Sequence, residues 1–248
     1  MIVMIDDLIE LREKFKKIKE MGWVATKRKG TTGIGYTFES LLGKEEESFS
    51  IPDYRSIEIK TRFKNSKENI SLINVTPDGD YLFPLKRLYD EYGFYSKNQP
   101  DYKVFYAAIG TIPKYAGRNY QFRLFVDRKN KLIKVIVIDK AGNIIDPNVS
   151  WSFSILKEKI LRKLKYLALV KAESHFTFGI QYFYYYEITF YMLKNFNTFL
   201  ELIEKNIIIT TFMIGAYKTG PKKGQMNNHG VRFDIADKDL DKLFIKVC

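Results

Sequence analysis

Apolar side chains recur along this chain with two periods. Ile5, Leu8, Ile9, Phe15 and Ile18 return at helical spacing, which predicts an amphipathic helix from residue 5 to about residue 21, stopped by Gly22. A short helix with Phe38, Leu41 and Leu42 inward is predicted to end at Gly43. Ile57, Ile59 and Thr61 alternate with Glu58, Lys60 and Arg62, the two-residue period of a strand. Further strands are predicted over residues 70–75, 104–109, 120–126, 132–138, 166–170, 182–191, 207–217, 231–235 and 244–247. Residues 77–79 (Pro-Asp-Gly) read as a turn, and 128–130 as the tip of a hairpin. Helices are predicted over 83–92, over 151–164 with Ile155, Leu156, Ile160 and Leu164 on one side, and over 199–205. The order lacks the regular βαβ alternation of a nucleotide-binding fold. It predicts a mixed α/β fold, a mixed sheet with flanking helices.

Composition narrows the class. The chain has 248 residues, of which 46% are hydrophobic and 15% aromatic, enough for a globular core in one large domain or two small lobes. No apolar run reaches the roughly 18 residues of a membrane span. The start, Met1-Ile2-Val3-Met4 followed by Asp6 and Asp7, does not read as a signal peptide. Cys248 is the single cysteine, so no disulfide or Cys-based zinc site forms within one chain. Two distant histidines, His175 and His229, make a His-based zinc site unsuitable. The expected setting is cytoplasmic.

Charge then points to a partner. The formal net charge is +12, with basic residues spread along the chain rather than packed into a tail. A folded domain this basic meets polyanions, because each neutralised phosphate releases condensed counterions. No segment is a clean basic amphipathic helix, so a membrane surface is not the expected partner.

The chemistry lies in Pro52-Asp53-Tyr54-Arg55-Ser56-Ile57-Glu58-Ile59-Lys60. Side chains alternate on a strand, so Glu58 and Lys60 share a face. Asp53 stands at the strand entrance, where the chain can turn its carboxylate toward that face. Mg²⁺ takes hard oxygen ligands and is usually held by one or two carboxylates, here Asp53 and Glu58, with the backbone carbonyl of Ile59 as a further ligand. The ion would activate water for phosphodiester hydrolysis, and Lys60 would orient that water and offset charge in the transition state. Upstream, Lys27, Arg28 and Lys29 stand beside Gly30, Gly33 and Gly35. Glycines let amides approach a phosphate closely, although the spacing is not a Walker motif. Glu39 follows on the short helix as a further carboxylate. An exposed strand face with alternating charge explains Glu58 and Lys60 equally well when they are taken alone.

The run from Lys27 through Leu42, with Gly33-Ile34-Gly35-Tyr36-Thr37-Phe38-Glu39 at its centre, resembles the start of MvaI/BcnI-type restriction endonucleases. The likeness continues through Pro52-Asp53 and Ile57-Glu58-Ile59-Lys60-Thr61. It extends to Trp151-Ser152-Phe153, Lys163-Leu164-Lys165-Tyr166, Ala172-Glu173-Ser174, Ile214-Gly215-Ala216-Tyr217, Lys222-Lys223-Gly224 and His229-Gly230. That family resembles the mismatch-repair nicking enzyme MutH. The resemblance implies a two-lobed nuclease that clamps double-stranded DNA, Mg²⁺ dependence, and catalytic roles for Asp53, Glu58 and Lys60, with Glu39 as the additional acid. It implies a monomer that cuts each strand in a separate event, alongside a cognate DNA methyltransferase encoded nearby. Residues 1–150 are expected to be mainly catalytic and 151–248 mainly for recognition.

Recognition is expected from the basic loop at residues 218–229. Lys218, Lys222 and Lys223 suit phosphates, with Tyr217 at the loop's entrance, while Gln225, Asn227, Asn228, His229 and the following Arg232 suit base edges. This region departs from the family. Asn227 replaces a second histidine, Asp234 stands where an arginine is expected, with Arg232 nearby instead, and Thr211 and Met213 occupy places of charged readers. The target is therefore expected to differ from the family's CC-(N)-GG sites. Glu45-Glu46-Glu47 reads as a solvated loop, residues 182–186 as a half-buried strand, and His175 receives no role. Two alternatives stay open: a MutH-like nicking enzyme, and a non-catalytic DNA-binding module.

Overall fold

The computed structural model describes residues 2–43, 52–79, 83–97 and 99–247. In chain order the first elements are α1 (Ile2–Glu20), β1 (Val24–Ala25), α2 (Gly33–Leu41), β2 (Ile57–Phe63), β3 (Ile70–Asn74) and α3 (Phe83–Tyr92). There follow β4 (Phe94–Ser96), β5 (Gln99–Ile109), β6 (Lys114–Ala116), β7 (Tyr120–Asp127), β8 (Leu132–Ile138), β9 (Ile144–Ile145), β10 (Ser150–Ser152) and α4 (Phe153–Lys163). The rest are β11 (Tyr166–Thr177), β12 (Ile180–Leu193), α5 (Phe196–Glu204), β13 (Ile208–Ala216), β14 (Met226–Ile235), a 3-10 turn at Asp237–Asp239, α6 (Leu240–Leu243) and β15 (Phe244–Val247). No helix among the described residues is long and apolar enough to cross a membrane.

The chain forms two compact units, each built from separated segments. One comprises the chain up to Glu68, Ile160–Lys194 and the stretch from Phe244; the other comprises Asn69–Lys159 and Asn195–Leu243. The expected break near residue 150 is therefore not the boundary. The reason is topological: β2 pairs in parallel with β11. A parallel pair needs a long crossover, and here the crossover carries most of the second unit.

The first unit is a mixed sheet in the order β1-β12-β11-β2, with β15 also on β12. Only the β2–β11 pair is parallel. Ile57 and Ile59 of β2 and Tyr166, Ala168 and Val170 of β11 share one face, because directly paired residues point the same way. They join Leu11, Phe15, Ile18, Ile34, Phe38, Phe183 and Tyr185 in one core. Helix α1 thus buries Leu11, while Ile9, expected inward, is exposed. Burying Phe15, Phe38 and Tyr185 removes roughly 150–250 Å² of aromatic surface each from water, so these rings dominate the attachment of the helices. The Tyr185 hydroxyl donates to the Ile34 carbonyl at 2.7 Å, which ties α2 to β12.

The second unit holds two antiparallel sheets, β10-β8-β7-β6 with β9 on β8, and β3-β14-β13-β5-β4. Trp151 is fully buried against Phe212 and Phe233, and its indole N–H donates to the Val75 carbonyl. This packing explains a correction: residues 150–152 form β10 on β8, and the helix begins only at Phe153. Ile155 then turns outward, whereas Leu156, Ile160 and Leu164 are buried.

Two further strands run past their expected ends. Residues 171–177 and 192–193 extend β11 and β12 into one long hairpin, whose ladder supplies hydrogen bonds that polar residues such as Glu173 and Ser174 do not advertise. Residues 226–229 belong to β14, with 226–228 paired to β13, so the basic loop is shorter than expected. The segment Glu45-Glu46-Glu47 lies outside the described residues.

Replacing Tyr185 by Phe removes the bond to α2 and nothing else from the core. Chemical denaturation should show a loss of about 1 kcal/mol; no loss would mean that the helix is held by its apolar face alone.

Candidate active site

Among the described residues, strand β2 is at the end of its sheet, with β11 on one side only. Its opposite edge is met by the chain that leads into it. Tyr54 and Ile57 exchange backbone hydrogen bonds of 2.9 and 2.7 Å, which folds residues 54–57 into a tight reversal. Arg55 takes a left-handed conformation there, with φ of 50°. That conformation is costly for a residue with a Cβ. Helix α1 holds the reversal in place: Arg55 pairs with Asp7 at 2.8 Å and Glu10 at 2.6 Å, Ser56 donates to Asp7, and the Tyr54 hydroxyl donates to Glu10. The Tyr54 hydroxyl, then Lys14 and Arg55, keep the Glu10 carboxyl below its ordinary range.

The reversal aims Asp53 along the edge of β2, where its carboxylate accepts from the Ile59 amide at 3.0 Å. In a strand the N–H and C=O of one residue point to the same side, so the Ile59 carbonyl faces that edge too. Glu58 and Lys60 project from the face opposite the core, as alternation requires. The Lys60 ammonium donates to Glu58 Oε1 at 2.6 Å. A second amine, Lys163 at the end of α4, stands 3.4 Å from the same oxygen.

Glu58 is only 1% exposed, and its other oxygen, Oε2, is buried without a hydrogen-bond partner. On that face Leu167 and Leu169 of β11 sit opposite Glu58 and Lys60. Burial raises the Glu58 carboxyl above its ordinary value; the Asp53 charge adds to the rise, while Lys60 and Lys163 oppose it.

The structure thus brings together Asp53, Glu58, Lys60 and the backbone of Ile59, and it adds Lys163. Sequence reasoning gave Lys163 no role. Its only local signal was a basic residue in the last turn of a helix, which any helix end accommodates. Two neighbouring carboxylates, one with an unpartnered buried oxygen, and a backbone carbonyl on the same edge suit a hard divalent cation. Glu39 lies on α2 and, with Thr61, Arg28, Gly35 and Tyr36, lines a cavity of about 380 Å³. Among the described residues no three of His, Cys, Asp and Glu gather into a metal-binding cluster.

The loop before α2 exposes Lys27 and Lys29, while Arg28 lies over the Tyr36 ring at 3.8 Å. Together with Phe63, Phe176 and Ile180 they line a cavity of about 830 Å³. His175 packs between Trp23 and Tyr182 on the outer face of the sheet.

In the second unit, Lys218, Lys222 and Lys223 are exposed on a turn closed by bonds between Tyr217, Gly224 and Gln225. Asn228, His229 and Arg232 lie on β14 rather than in the loop. Two glycines make room for this set. A Cβ on Gly215 would meet the Tyr106 hydroxyl at 2.7 Å and His229 Nε2 at 3.5 Å. Gly230, at φ of 126°, brings its backbone against Asn74, whose side chain accepts from the Val231 amide.

A carboxyl whose folded value is raised binds protons more tightly in the native chain than in the unfolded one. Stability therefore falls as pH rises upward from about the ordinary value of Glu58, 4.5, and stays lower beyond the folded value. Glu58→Gln should remove that decline, and melting in chelator at neutral pH should occur at a higher temperature than for wild type. A lower melting temperature would mean that the two lysines more than offset the burial.

The profile of the MvaI/BcnI restriction endonuclease family matches residues 12–244. Among solved structures, a complex of restriction endonuclease MvaI with its cognate DNA substrate superposes with a TM-score of 0.87 at 31% identity, covering 97% of this chain and 97% of that one. MvaI in the absence of DNA gives a TM-score of 0.62 at 30% identity, covering 97% and 96%. No curated protein matches. The expected mixed α/β nuclease fold is the one found, and this chain belongs to the MvaI/BcnI restriction endonuclease family of site-specific DNA nucleases.

Proposed function

We propose that this chain is a type II restriction endonuclease that hydrolyses DNA phosphodiester bonds with Mg²⁺, held by Asp53, Glu58 and the Ile59 carbonyl. The observation that carries this is the buried, unpartnered Glu58 Oε2 beside Asp53 and two amines. When bound, the ion acidifies an attacking water and offsets charge on the phosphate. Asp53 is held ready by the Ile59 amide, and so spends little ordering on binding. Lys60 is fixed against Glu58 yet 26% exposed, so its ammonium can meet the attacking water and the developing negative charge. Lys163, with Lys60, opposes the cost that burial places on the charged form of Glu58, a positioning role. Glu39 serves as a supporting acid on α2 rather than as a ligand.

DNA is the partner that the family and the net charge of +12 support. Lys27, Lys29, Lys218, Lys222 and Lys223 neutralise phosphates, with Tyr217 at the loop's base. Asn228, His229 and Arg232 approach base edges. The enzyme acts in the cytoplasm as a monomer, cutting the strands one after the other, and a cognate methyltransferase protects the host's own sites.

A methylation-free plasmid with Mg²⁺ tests the reading. Wild type should give discrete fragments, with the nicked circle preceding the linear form. Glu58→Ala and Lys60→Ala should each lower the rate by at least a hundredfold, and Lys163→Ala by about tenfold. Cleavage that survives Glu58→Ala would sink the assignment. In binding measurements across salt concentrations, replacing both Lys222 and Lys223 by Ala should flatten the logarithmic slope by about 1.8, at roughly 0.9 per phosphate contact. An unchanged slope would place those lysines away from DNA.

A further inference from the structure

Strands β13 and β14 pair so that Thr211 lies opposite Arg232 and Ile209 opposite Asp234. Phe212, Phe233 and Ile235 face the core, so Thr211, Met213, Arg232 and Asp234 share the other side. Asp234 is nonetheless only 3% exposed. The Thr211 hydroxyl donates to its Oδ2 at 2.6 Å. Its Oδ1 is buried with no hydrogen-bond partner, and so is Nε of Arg232. These two orphaned atoms face each other at 3.6 Å, just beyond hydrogen-bond length.

A buried carboxylate with one unsatisfied oxygen is expensive, and an apolar residue of similar size would avoid the cost. What the arrangement offers is control of an arginine. With Nε turned inward toward the acid and the side chain still 38% exposed, the exposed part of Arg232 lies beyond and around that inward nitrogen. An arginine whose Nε faces a carboxylate as an ion pair can present its two terminal nitrogens as a fork, which matches O6 and N7 of guanine in the major groove. The Thr211 hydroxyl holds Oδ2, which leaves Oδ1 directed at the arginine's Nε.

We propose that Asp234, oriented by Thr211, is a positioning residue for base readout: it holds Arg232 by Nε so that the guanidinium reads the guanine of one G·C pair in the target. This rests on the reading of the chain as a sequence-specific nuclease. Burial raises the Asp234 carboxyl, while the Thr211 hydrogen bond and the Arg232 charge oppose the rise, so the arginine supports the charged form that grips it.

The experiment measures cleavage rates on a panel in which each base pair of the wild-type site is changed in turn. Wild type, Asp234→Asn, Asp234→Glu and Arg232→Lys are compared, with melting temperature and non-specific DNA affinity recorded for each. Discrimination at a single G·C position should fall roughly ten- to hundredfold in Asp234→Asn and in Arg232→Lys, at the same position in both. Asp234→Glu should restore part of it, and non-specific affinity should stay within about twofold. Unchanged discrimination in Asp234→Asn, or relaxation at a position different from that of Arg232→Lys, overturns the inference. So does an equal loss at every position. If Asp234→Asn does not fold, Thr211→Val, which removes the hydroxyl that orients the acid, takes its place: relaxation at the same G·C pair as in Arg232→Lys supports the inference and none overturns it. A wild type that yields no discrete fragments would instead overturn the nuclease reading.

Discussion

The catalytic unit is organised around a charge that the fold takes out of water. Glu58 sits on a strand face walled by Leu167 and Leu169, with one oxygen given to two lysines and the other left without a partner. An isolated carboxylate in such a place would lose its proton only with difficulty. The lysines favour the charged form, and on the proposed reading a bound cation would favour it further while serving phosphodiester hydrolysis. On the proposed reading, the energetic liability and the catalytic asset are the same group of atoms.

Most of the local architecture serves to bring a second carboxylate to that group. Asp53 is five residues upstream in a chain that must reverse within four residues. The reversal puts Arg55 in a left-handed conformation, and α1 compensates with Asp7 and Glu10. Helix α1 is in turn seated by Leu11, Phe15 and Ile18 in the core behind β2. The core on one face of the sheet thereby sets the geometry of the acids on the other. The second unit repeats the logic in a different place: Thr211 and a buried Asp234 restrain Arg232, and two glycines clear space for His229 and Asn74.

Much of this could be read from residue order. The alternation in residues 57–62 located β2 and placed Glu58 beside Lys60, and the periodicity of residues 83–92 and 132–138 located α3 and β8. Failures came where tertiary contact overrode local pattern. Trp151 begins a helical-looking run but is drawn into a strand by Phe212, Phe233 and the Val75 carbonyl. Asn227 and Asn228 look like loop residues but pair with β13, and His229 lies on the same strand at an irregularity in the ladder. Polar stretches of β11 carry no alternation that would reveal their ladder.

By itself, then, the sequence determined the identities and the strand spacing of Asp53, Glu58 and Lys60, the basic character of the molecule and the family resemblance. All of these depend on residues near one another in the chain or on residue order alone. Only the tertiary structure decided that Lys163, about a hundred residues downstream, reaches Glu58, that Asp7 and Glu10 brace the turn carrying Asp53, and that Asp234 faces Arg232 through its one unsatisfied oxygen. The first two rest on a parallel strand pair and a buried helix that join distant segments. The third rests on burial, which decides whether neighbouring charges on one strand ignore each other in water or hold each other in place.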